Sequence, residues 1–153
     1  MSPRVLIAGI GNIFFGDDAF GVEVAQRLAK SELPEGARAV DYGIRSVHLI
    51  YDLLEPIDQL IIVDAVDRHE PPGSVFVIDP EPGAGDGDGG DLHTVDLHAV
   101  LAAVDQLGER RPRVRIVGCQ PVELGAHIGL SAEVEDAVEK SISLIRRILC
   151  ESN

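Results

Sequence analysis

The chain has 153 residues, 45% of them hydrophobic, and a formal net charge of −13. That length suits one domain, residues 1–153, able to bury roughly 68–70% of its extended-chain surface. The acidity disfavours nucleic acid and anionic membrane surfaces, whose binding rests on Lys and Arg, and favours a basic protein partner or a cation. No charge-free run reaches the ~20 residues of a membrane helix. The N-terminus moves straight into a strand, with no basic region or cleavage site, so a cytoplasmic location is expected. Cys119 and Cys150 are too few for a disulfide framework, lack metal-ligand spacing, and read as reduced thiols.

In chain order, residues 4–9 form an apolar strand that ends in Gly9-Ile10-Gly11-Asn12, and about 18–30 a helix closed by Leu33-Pro34-Glu35-Gly36. Residues 37–42 read as a second strand and 45–54 as a second helix. Leu60-Ile61-Ile62-Val63-Asp64 is apolar on both faces, which predicts a central strand. Residues 74–78 follow a Pro-Pro-Gly turn and suit an edge strand. A helix over 95–107 and a strand over 114–118 come next. In the last helix Ser131 is a good N-cap, and Val134, Val138, Ile142, Ile145 and Leu149 mark one apolar face. Glu133 and Glu135 favour its start, and Arg146 and Arg147 favour its end. Strands alternating with helices predict an α/β fold with a mostly parallel sheet. Residues 79–91 are rich in Gly, Pro and Asp. The calcium-loop pattern fails there, since Gly90 and Asp91 stand where a ligand and a glycine are required. A surface loop that could cover a site is the better reading.

Ligands of open α/β sheets bind at the carboxyl ends of the strands. Asp17 and Asp18 follow the first strand, Asp64 ends the third, and His93 precedes the helix after the fourth. Two carboxylates and an imidazole suit a borderline divalent metal such as nickel or zinc. Each also has a plainer role: Asp17 or Asp18 as a helix N-cap, Asp64 orienting a loop amide, His93 as a loop histidine. His98, five residues from His93, does not share its helical face. His127 either fixes the turn before the last helix or lines the site, and the structural role is favoured.

These segments together resemble the hydrogenase maturation endopeptidases, and the likeness covers nearly the whole chain. Gly9-Ile10-Gly11-Asn12 with Asp17-Asp18-Ala19-Phe20-Gly21 resembles the family's opening motif. Leu60 to Ala65 resembles its central strand. Pro72-Gly73, then His93, then Gln120-Pro121 through His127-Ile128-Gly129-Leu130-Ser131 follow in the family's order. The resemblance implies a three-layer α/β/α sandwich with a five-stranded twisted sheet and helices on both faces. It implies a processing endopeptidase, a hydrolase that removes a C-terminal peptide from a nickel–iron hydrogenase large-subunit precursor after nickel insertion. Nickel recognition would map onto Asp18, Asp64 and His93, which would serve as both the metal-reading and the catalytic residues. The nickel would be the precursor's own ion. Two features depart from the family pattern: Asp18 where Glu is frequent, and Asp41-Tyr42-Gly43-Ile44-Arg45 where Asp-Gly-Gly is common.

Other readings remain open. A non-catalytic nickel-sensing or maturation-partner binding module could use the same residues. Cys119 could pair with His93 as a nucleophile. A nucleotide in the first turn is opposed by Phe14 in place of the third glycine and by the acid pair. The sequence shows no long exposed apolar stripe, which predicts a monomer.

Overall fold

The structure, a computed structural model, describes residues 2–83, 95–122 and 124–151. Most of the glycine- and aspartate-rich stretch over 79–91, and His93 itself, lie outside the described residues. Five strands, β1 (Val5–Ile10), β2 (Ala37–Gly43), β3 (Gln59–Ala65), β4 (Val75–Ile78) and β5 (Arg113–Cys119), form one sheet in the order β2-β1-β3-β5-β4. Every pairing is parallel except that of β4 with β5. The helices are α1 (Phe20–Ala29), α2 (Ser46–Asp52), α3 (Val95–Asp105) and α4 (Ala132–Glu151), and a single 3₁₀ turn, Gly16–Ala19, precedes α1.

Strand alternation sorts the core into two layers. Val5 and Ile7 of β1 and Ile61 and Val63 of β3 pack with Phe20, Val24 and Leu28 of α1 and Val134, Val138 and Ile145 of α4. Leu6, Ala8, Leu60 and Ile62 point the other way, onto Leu49 of α2 and Leu97, Leu101 and Val104 of α3. Helices therefore cover both faces, which makes three layers. β3 is the middle strand. Its Leu60, Ile61, Ile62 and Val63 are wholly buried, each such side chain contributing about 1.5–3 kcal/mol of transfer free energy.

The connections decide where a ligand could sit. From β1 the chain crosses over α1 to β2 on one side; from β2 it crosses over α2, on the opposite face, to β3 on the other side. Successive connections thus run opposite ways around β1, leaving a crevice between the carboxyl ends of β1 and β3.

Most local expectations hold within one or two residues, and three differ. The acid pair lies in the 3₁₀ turn, and no side chain caps that turn or α1. α4 runs to Glu151, so Arg146 and Arg147 stand a turn before its end; Arg146 reaches instead to Ser31 Oγ at 2.8 Å and Glu32 O at 3.1 Å. Apolar side chains are also left outside: Val47 and Tyr51 on α2, with Leu54 just beyond, make a short exposed stripe at i, i+4 and i+7. Ser131 caps α4 as its sequence predicts, its Oγ accepting from Val134 N–H at 3.3 Å.

Candidate functional site

The crevice is built by backbone meeting backbone. A Cβ on Gly9 would collide with Gly21 O, and one on Gly21 would collide with Val63 O and Ile10 O. Only glycines let α1 start this close to the ends of β1 and β3. The turn that carries Asp18 accordingly packs against β3, whose penultimate residue is Asp64. Asp64 is 1% exposed, and Asp18 is half-buried. Asp18 Oδ2 accepts Asn12 N–H at 2.8 Å. Asn12 in turn shapes its own loop, since its Oδ1 accepts Phe14 N–H at 2.9 Å and its carbonyl accepts Phe15 N–H at 3.1 Å.

Asp17 does something the sequence did not reveal. It is 1% exposed, and its carboxylate reaches across to the loop between β5 and α4. Asp17 Oδ2 accepts Val122 N–H at 2.7 Å and Ser131 Oγ–H at 2.9 Å, while Oδ1 accepts Ser131 N–H at 2.7 Å. A buried carboxylate needs such donors, and these oxygens are well supplied. Gly16 N–H adds a bond to His127 O at 2.7 Å, so His127 fixes the loop through its backbone while its side chain stays exposed. The adjacent acids thus face different tasks: Asp17 fastens the β5–α4 loop, and Asp18 stays beside β3.

Gln120 is a second residue that sequence reasoning left unassigned. Buried at the end of β5, its Oε1 accepts Arg68 N–H at 2.8 Å and Glu70 N–H at 3.1 Å, and its Nε2 donates to Asp67 Oδ1 at 2.9 Å. These bonds hold the chain that leaves β3 just after Asp64. The one signal in the sequence is a polar side chain directly after an apolar strand.

Cys119 is no nucleophile in this setting. Burial pushes its thiol up to about 12, nearby Asp17 adds to the rise, and Lys140 offsets part of it. A protonated thiol is neither a nucleophile nor a metal ligand at neutral pH. Among the described residues no group of three or more His, Cys, Asp or Glu could hold a metal ion. The third residue of the expected constellation, His93, lies outside that set.

Beside the acids lies a cavity of about 770 Å³, bounded by the Gly11–Phe14 loop, the end of β2 and α2. Asn12 lines it, so it adjoins the Asp18 turn. Tyr42, also on its wall, donates its hydroxyl to Asp52 Oδ2 at 2.6 Å; burial and that bond raise the phenol, which stays neutral.

A sequence model described as hydrogenase maturation protease matches residues 22–148. The hydrogenase 2 maturation protease of Escherichia coli is 33% identical, over 97% of this chain and 92% of that protein. A hydrogenase expression/formation protein of Rhizobium leguminosarum is 32% identical, over 97% of this chain and 75% of its own length. The solved structure of the hydrogenase-maturating endopeptidase HybD from Escherichia coli superposes with a TM-score of 0.85 at 27% identity, covering 98% of this chain and 94% of that one.

Proposed function

The chain belongs to the hydrogenase maturation protease family, and from that premise we propose that it is an endopeptidase acting on a nickel–iron hydrogenase large-subunit precursor. It removes the precursor's C-terminal peptide once nickel is in place, and it reads that nickel through Asp18, Asp64 and His93. The observation that carries this reading is the convergence of Asp18 and Asp64, from segments far apart in sequence, at the β1/β3 switch point.

In this reading the nickel belongs to the substrate. Cleavage is conditional because the contact with the two carboxylates and the imidazole exists only on a loaded precursor. The reaction adds one water across the peptide bond, giving a new carboxylate on the large subunit and an amine on the released peptide. An aspartyl-type carboxylate takes the proton from the attacking water. A cation beside that water would lower its pKa toward ~7 and ease the same step. The raised Cys119 thiol argues against an acyl-enzyme route.

The test is the intact mass of the cognate precursor after incubation with this protein, with and without nickel loading. Loss of a C-terminal peptide from the loaded form alone is the expected result. Cleavage regardless of nickel would keep the peptidase and remove the metal-reading role. No cleavage of either form would leave a binding module in its place.

A further inference from the structure

β2 is an outer strand of the sheet. Such a strand leaves one side of its backbone without a neighbouring strand, ready to pair with added chain. The 770 Å³ cavity runs along residues 40–43 of β2 and on to α2. Its rim is apolar and exposed, with Phe14 at 60%, Ile44 at 62% and Tyr51 at 71% of full exposure.

The polar lining divides into two groups. Asp41 is occupied by Gln26 Nε2 at 3.0 Å and Gly43 N–H at 2.8 Å, and Asp52 by the Tyr42 hydroxyl. Arg45 and His48, by contrast, have no side-chain hydrogen bond or ion pair among the described residues. Among the described residues Arg45 is the one Lys or Arg lining the cavity, in a chain whose acids outnumber Lys and Arg 26 to 13. A free guanidinium fork beside a strand edge and an apolar rim matches a peptide in extended form: its backbone pairs with the edge, its apolar side chains cover the rim, and its carboxylate takes the fork.

We propose that this groove receives the C-terminal extension of the precursor as an added strand beside β2, with a carboxylate of that extension held by Arg45 and His48. The inference rests on the processing function proposed above. The groove is continuous with the acids through Asn12, so a peptide lying in it passes the Asp18 turn. Any C-terminal extension carries at least its own terminal carboxylate, whatever its sequence.

The experiment is an amide NMR titration of the full chain with a synthetic peptide of the cognate extension. A second peptide has the same sequence with its acidic side chains as amides and its terminus amidated. The first peptide should shift amides of residues 11–14 and 40–51. Neutralising it should weaken binding about tenfold, the loss expected for one charge-assisted pair. Arg45→Ala should erase the difference between the two peptides, and Arg45→Lys should restore part of it. Shifts confined to residues outside these two stretches, no binding at millimolar peptide, or a tenfold difference that survives Arg45→Ala would each overturn the proposal. Binding is read without cleavage, so a precursor cut normally despite a silent titration removes the groove and keeps the peptidase. A peptide that docks as expected beside an uncut precursor does the reverse.

Discussion

The two banks of the β1/β3 crevice are built differently. On one, the Gly16–Ala19 turn and the β5–α4 loop are fastened together by Asp17, Ser131 and the Gly16–His127 backbone bond. On the other, the end of β2 and α2 leave Ile44, Val47 and Tyr51 exposed and the side chains of Arg45 and His48 unengaged among the described residues. Polar groups on the first bank satisfy one another; on the second, Asp41 and Asp52 are engaged within the chain and Arg45 and His48 are left for something outside it. Construction and recognition are thus assigned to opposite sides of one site, and substitutions should separate them.

The largest effect is expected between the banks. Asp18→Asn, Asp64→Asn or His93→Ala should abolish precursor processing while thermal unfolding stays nearly unchanged, as mass spectrometry and calorimetry would show. A variant that unfolds instead would move its residue to the constructed bank. Next comes Asp17→Ala, which strands the Val122 and Ser131 N–H groups. It should cost about 2 kcal/mol and lower Tm by about 6 °C, with Asp17→Asn losing less. An unchanged Tm would erase the distinction between the banks. On the open bank, Val47→Ser should change stability by no more than about 0.5 kcal/mol, since the side chain already faces water. A larger loss by calorimetry would mean that α2 leans on that side chain. Smallest of all is Cys119→Ala, which should leave the processing rate unchanged. Thiol labelling of the folded protein at pH 8 should accordingly reach exposed Cys150 and spare Cys119.

Much of this was legible in the sequence because it is local. The apolar run Leu60–Val63 announces a central strand, and Asp64 must then fall at its carboxyl end. Ser131 with the apolar spacing after it announces α4. What was not legible depends on pairs far apart in the chain. Nothing in Asp17-Asp18 says which acid turns inward, because the partner that decides it, Ser131, lies 114 residues away. Arg146 looks like a helix-end charge until the fold brings Ser31 to it. The apolar rim of the cavity combines the Phe14 loop with α2, segments too short for either to stand out alone. The antiparallel direction of β4 likewise depends on a connection that a strand of four residues does not encode.

The contact of Gly9 with Gly21, and of Gly21 with Val63 and Ile10, has a genetic consequence. At an ordinary core position a damaging substitution can be repaired by trimming a neighbour, because side chains share the space. At Gly21 the colliding atoms are all main-chain, the carbonyls of Val63 and Ile10, which no codon change can shorten. A selection for recovered processing in a Gly21→Ala strain should therefore return almost only true revertants. The same selection applied to Asp17→Ala should yield second-site suppressors in the β5–α4 loop. This seam is inherited as backbone, and at Gly21 no partner side chain exists whose change could restore the fit.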